Sequence, residues 1–243
     1  MFAAARKGRI TLRAAAVAVL GALMLATPAA ASTDAQLQFD PVDQTWAETI
    51  LLSETDLGPN WRSLPVNFNG DPRENSICAG GPDESDLTIT GGNAADFVRA
   101  DGGAIIASTV TIWQTSEQAQ ADWDRSVQPA LLNCVAAGLR SASTKKIKLV
   151  VTAKRALAYP VIAPRTAAYR FAISYRTTVR RNKKRRVVAT PATFDLILLG
   201  NGRASAALAT LSFNKVPLAE SSKQSFASML AKRMAADPTA AAG

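Results

Sequence analysis

The sequence predicts an α+β domain: a twisted antiparallel β-sheet of about five or six strands with helices packed on it. Three observations lead there. The turn formers Asp101-Gly102-Gly103 and Asn201-Gly202 each join two strand-like runs, as tight hairpin turns do. Amphipathic stretches at helical spacing lie between and after those runs. The resulting order is helix, strands, helix, a meander of strands, helix. It suits a sheet that buries one face under its helices.

Residues 1–31 read as a secretory leader. Arg6, Lys7, Arg9 and Arg13 form a basic start, Ala14 to Ala26 is uncharged and apolar, and Ala29-Ala30-Ala31 offers small residues for cleavage before Ser32. The apolar run, at about 13 residues, is short for a bilayer core. No Cys stands at the cleavage point, so a lipid anchor there is not expected. The rest, 32–243, is expected to be a single secreted domain and a monomer, with no further membrane-spanning segment. Removing 31 residues and four cations from 243 residues at +9 leaves 212 residues at +5.

Ser32 to Phe39 is polar and loose. Asp43 is placed to cap a helix carrying Trp46, Ile50 and Leu51 on one face, and Gly58-Pro59 ends it. Trp61 to Phe68 is extended. Asn69 to Asp86, rich in Gly, Pro, Asn and acids, is a loop holding Cys78. Ala95 to Ala100 and Ala104 to Trp113 pair as a hairpin. Ser116 then caps a helix whose apolar face runs through Ala119, Trp123, Val127, Leu131, Cys134 and Val135 to Gly138. Pro129 inside it predicts a kink near Arg125 or two abutting helices. Lys145 to Ala153 alternates as a strand, and so does Tyr169 to Arg176, with one polar face. The basic run at 180–186 turns the chain, Arg186 to Leu199 returns with an interruption at Pro191, and Arg203 to Phe213 follows Asn201-Gly202. Ser222 caps a last helix with Phe226, Met229, Leu230 and Met234 on its inner face.

Composition narrows the chemistry. The chain has no histidine, which removes Ser-His and Cys-His nucleophiles and the common His-containing zinc sites. The excess positive charge is concentrated in one run rather than spread over a nucleic-acid surface, so no nucleic-acid partner is expected. Cys78 and Cys134 are the two cysteines. In an exported chain they are expected to form one disulfide; free thiols are the other reading.

Arg180, Arg181, Lys183, Lys184, Arg185 and Arg186 sit at a hairpin tip. They suit an anionic lipid or wall polymer, or they form a solvated loop. Asp83, Glu84 and Asp86 are acidic but lack the alternation of a calcium loop, so no metal is expected. Ser143 with Lys146 and Ser212 with Lys215 stand at Ser-x-x-Lys spacing, yet beside strands rather than at a helix start. Asp122 and Asp124, two apart on a helix, face different ways. Trp46 and Trp123 occupy helix core positions, whereas Trp61, in an irregular segment, is the tryptophan expected to reach solvent.

Several stretches taken together resemble a known group. They are Leu51-Leu52-Ser53 with Asp56-Leu57-Gly58 and Trp61, a Cys in the loop that follows, and Gln118, Ala119 and Trp123 leading to Leu131-Leu132-Asn133-Cys134. The last is Asp195-Leu196-Ile197-Leu198-Leu199-Gly200 followed by Gly202-Arg203-Ala204. The pattern is similar to the extracellular sensor domains of actinobacterial receptor Ser/Thr kinases of the PknH type, themselves loosely like PsbP/Mog1 α/β sandwiches. The resemblance implies a helix-packed antiparallel sheet with a cleft, and ligand sensing rather than catalysis. Those domains usually carry two disulfides, where this chain has cysteines for one, and there is no kinase here.

The expectation is therefore a secreted, non-enzymatic envelope domain that binds an unidentified ligand or protein without a cofactor. Trp61, Tyr169, Tyr175 and Arg176 are its expected ligand-binding residues. The alternative is an envelope-associated structural protein using the 180–186 hairpin.

Overall fold

A computed structural model describes residues 35–66, 83–144, 147–181, 184–213 and 218–238, with backbone alone for 179–181 and 184–185. Its elements, in chain order, begin with β1 (Gln36–Leu37), α1 (Pro41–Ile50), a single turn α2 (Glu54–Leu57), β2 (Trp61–Leu64), β3 (Thr88–Arg99) and β4 (Ala104–Trp113). They continue with α3 (Ser116–Ser126), α4 (Leu131–Ser141), β5 (Ile147–Ala156), β6 (Arg165–Arg181), β7 (Lys184–Asn201), β8 (Ala204–Phe213) and α5 (Glu220–Met234).

The α+β class holds, with a larger sheet than expected. Among the described residues eight strands run in the order β1-β3-β4-β8-β7-β6-β5, with β2 also on β3. All pairings are antiparallel except β1 on β3, which is parallel. The two extra strands are the short pieces flanking β3, whose two and four residues are too few to show a period.

Helices cover both sides of the sheet, not one. On the first side α1 and α5 pack Trp46, Ile50, Phe226, Leu230 and Met234 against Ile106, Ile112, Ile197, Leu199 and Leu208. On the second, α4 packs Val135 and Leu139 against Tyr169, Phe171, Ile173, Phe194 and Leu211. Ala119 of α3 meets Leu87, Ile89 and Trp113 on that same second side. Two apolar faces follow from runs such as Leu196-Ile197-Leu198-Leu199, which put an apolar side chain on each side of the pleat.

Local signals were shifted by a residue or more. Asp40, not Asp43, caps α1, accepting from the amides of Val42 and Asp43 with Pro41 at the first turn. Asp43 is buried instead, its carboxylate taking both Arg203 guanidinium nitrogens at 2.9 Å and the Thr90 hydroxyl. Thr115, not Ser116, caps α3 by accepting from the Gln118 amide. Ser222 caps nothing, because α5 already begins at Glu220. Pro129 separates α3 from α4, the second of the two outcomes expected.

Pro191 does not interrupt β7. The ladder to β8 starts only at Ala192, so the missing N–H falls where no strand needs it. Gly91, at a bulge in β3, lets α1 lie against the sheet, since a Cβ there would sit 2.6 Å from the Asp43 carbonyl. α5 is held by charge as well as packing. Lys223, 2 % exposed, donates to Asp195 at 2.5 Å, and Arg170 reaches the same carboxylate at 2.6 and 2.9 Å.

Candidate ligand-binding face

The two sides of the sheet differ in how well they are closed. Across the centre, Ser108, Leu208, Ile197 and Ala168 form one cross-strand row facing α1 and α5, each between 0 and 3 % exposed, with Ala95 half-buried at its β3 end. One residue along each strand, on the opposite face, the row is Ala94, Thr109, Ala207, Leu198 and Ala167. All five of these remain half-buried although they stand mid-sheet. Small side chains floor this region, and α3 and α4 leave it partly open. Val127, Leu131 and Leu132, where the two helices meet, are half-buried and border it.

Charged groups edge that floor. The next row is Asp96, Ala107, Ala209, Leu196 and Tyr169. Asp96 belongs to the inward phase of β3 with Ala94 and Val98, and it is 8 % exposed. It has no hydrogen-bond partner among the described residues. Burial pushes its carboxyl up to about 6, because removing an unpaired charge from water disfavours the ionised form.

The helix α3 supplies a second carboxylate. Ala119, Asp122, Trp123 and Ser126 fall at helical spacing on its sheet-facing stripe. Burial lifts Asp122 to about 6 as well, against the opposing pull of the Ser126 hydroxyl, which donates to it at 3.2 Å, and of Arg165 and Arg125. Asp124, on the other side of the helix, accepts from Gln120.

Arg165 closes this end. Its guanidinium carbon lies 5.9 Å from the centre of the Trp123 ring, and its Nη2 donates to the Gly202 carbonyl at 2.8 Å. It lies across β7 at Gly200, where any Cβ would collide with Nε. Desolvation lowers its affinity for the proton, partly offset by Asp122 and Asp124. Arg125 ties α3 to the segment before β3, holding Asp86 at 2.6 and 2.7 Å and the Asp83 carbonyl at 2.9 Å. That hydrogen bonding keeps the Asp86 carboxyl below its ordinary value.

The residues expected from the sequence to bind ligand do not form one site. Tyr169 and Tyr175 lie on the α4 side of β6 and are buried, Tyr175 edge-on to Phe213 at 5.7 Å. Only Tyr169 borders the open floor, at the end of the Asp96 row. Arg176 is exposed on the opposite face of β6. Trp61 does not reach solvent: it is 7 % exposed, in the core beneath α1 and α5. Trp123, assigned to the core, is instead half-buried under Arg165.

Cys134 is half-buried on α4, and Cys78 lies outside the described residues, as do Lys183, Lys146 and Lys215. Ser143 and Ser212 use their hydroxyls to accept the amides of Leu149 and Leu218. Asp96 and Arg165 were missed by sequence reasoning. A usable signal for Asp96 was present: a lone acid at the inward position of an otherwise apolar strand phase.

No family model matches this chain, and no curated protein sequence matches it. Among solved structures, it is similar to the extracellular domain of PknH from Mycobacterium tuberculosis. The TM-score is 0.41 at 8 % identity, over 80 % of this chain and 97 % of that one. No residue role is carried across.

Proposed function

We propose that this chain is an exported, non-catalytic binding domain. Its ligand is a small, largely apolar molecule bearing an amine, seated on the open sheet face. One observation carries this: the central row Ala94, Thr109, Ala207, Leu198 and Ala167 is half-buried while Ser108, Leu208, Ile197 and Ala168 behind it are sealed. A floor of methyl groups with few polar groups at its rim is the usual make-up of a small-molecule site. Asp96 sets the ligand class, since a buried carboxylate without a partner gains most from a cation. The leader pattern supports export. The lack of histidine and the engagement of Ser143 and Ser212 with backbone amides support a binding rather than a catalytic role.

The test compares phenethylamine with ethylbenzene, an uncharged counterpart of similar size, by methyl NMR. The amine is expected to shift the methyls of Ala94, Ala167, Ala207 and Ala209, and the hydrocarbon to shift them much less. Ala207→Leu, which fills the floor, and Asp96→Asn should each remove the effect. Equal response to both probes, or shifts mapping elsewhere, would reject the reading.

A further inference from the structure

The longest paired segment of the molecule continues past the domain. Among the described residues β5 pairs with β6 as far as Thr177 and β8 pairs with β7 from Ala192 on, while β6 and β7 stay paired from Thr178↔Val187 to Arg181↔Lys184. Among the described residues this end is a two-stranded ribbon without a further strand beside it.

Its charge is one-sided to an unusual degree. From Arg125 to Phe194 the sequence holds 16 Lys and Arg and not one Asp or Glu. The register sets like charges directly opposite each other: Lys148 against Arg176 at the root, then Arg180 against Arg185 and Arg181 against Lys184. Lys148, Arg176 and Arg186 are exposed and make no ion pair among the described residues. Like charges facing across strands destabilise a hairpin. An external array of anions is the partner that reverses the sign of that interaction.

Apolar side chains are mixed with the cations. Val187 is 68 % exposed and Val188 40 % exposed, on the ribbon itself. A soluble polyanion has no use for them, whereas the boundary between head groups and acyl chains takes both kinds of group.

We propose that the β6–β7 ribbon is a docking arm for an anionic lipid bilayer, with the cations engaging head-group phosphates and Val187 and Val188 entering the interface. This site is separate from the open face between α3, α4 and the sheet, so the failure of either proposal leaves the other standing.

The experiment is cosedimentation with vesicles, using protein recovered after export from an expressing host, its N-terminus first read by mass spectrometry. Vesicles of phosphatidylglycerol mixed with phosphatidylcholine should carry the protein down, and pure phosphatidylcholine should not. Each engaged cation is worth about fivefold in binding, so Arg180→Gln, Arg181→Gln, Lys184→Gln and Arg185→Gln together should lower partitioning at least tenfold. These changes remove cross-strand repulsion, so the melting temperature should hold or rise. Val187→Ser with Val188→Ser should weaken vesicle binding while leaving retention on soluble polyphosphate unchanged. Equal partitioning onto neutral vesicles, or unchanged partitioning of the quadruple variant, would overturn the proposal. So would full vesicle binding by the double Ser variant, which would show a general polyanion site rather than a membrane one.

Discussion

Replacing Asp96 by Asn separates the requirements of binding from those of stability. Asp96 is 8 % exposed and has no partner among the described residues, and burial pushes its carboxyl up to about 6 from its ordinary 3.8. That displacement corresponds to about 3 kcal/mol between the folded and unfolded chain. The folded state holds the proton more tightly, so the stability contributed by the protonated form is fully present below pH 4. It is lost as pH rises through about 6.

Asn removes the charge and keeps the shape. At pH 4 the two proteins should therefore melt together. At pH 7.5 Asp96→Asn should be the more stable, by about 1–3 kcal/mol, since the amide recovers most but not all of the desolvation cost. For a chain of this size that is about 2–4 °C per kcal/mol. The assay is thermal and urea unfolding of both proteins from pH 4 to 8, read as their difference. Taking the difference cancels carboxylates such as Asp56 and Asp86, whose lowered values act in the opposite direction. A constant offset across pH, or a less stable variant at pH 7.5, would refute the reasoning, because the carboxylate would then have a partner that keeps it ionised. The same substitution should abolish amine binding.

Two more expectations can be measured by urea unfolding and peptide mapping. Asp195→Ala leaves the buried Lys223 ammonium and Arg170 with only the exposed Glu220 carboxylate between them and should cost about 2–4 kcal/mol. The pair Asp195→Leu with Lys223→Met should recover most of that loss, and a mild single variant would show that the ion cluster does not hold α5. Non-reducing mapping of native protein should yield Cys78 joined to Cys134, and reduction should lower stability by about 4 kcal/mol on the chain-entropy account. Both thiols found free in native material would refute the pairing.

Elements that owe their form to neighbours in sequence were legible from the residues. Gly102 and Gly202, both at positive φ, turn the two hairpins that Asp101-Gly102 and Asn201-Gly202 announce. The inner face of α5 through Phe226, Leu230 and Met234 follows from helical spacing alone. Caps were less legible, because Asp40 and Asp43, or Thr115 and Ser116, are equally good capping types one turn or one residue apart. What separates Asp40 from Asp43 is Arg203, which is 160 positions along the chain and takes Asp43 for an ion pair.

The site was legible only in part. A tryptophan in an irregular segment gives no local sign of burial, and Trp61 is covered by helices remote in sequence. Asp96, Arg165 and the Ala207 floor come from five different strands and meet only through register.

By itself the sequence determined the longer helices and strands, where the chain reverses, the one-sided charge between Arg125 and Phe194 and the absence of imidazole chemistry. Each of these is a property of adjacent residues or of composition. Tertiary structure alone decided that both sheet faces are covered, that one face stays partly open, and which carboxylate there has no partner among the described residues. Those outcomes depend on which distant side chains compete for the same volume and the same charges, and no local period encodes that competition.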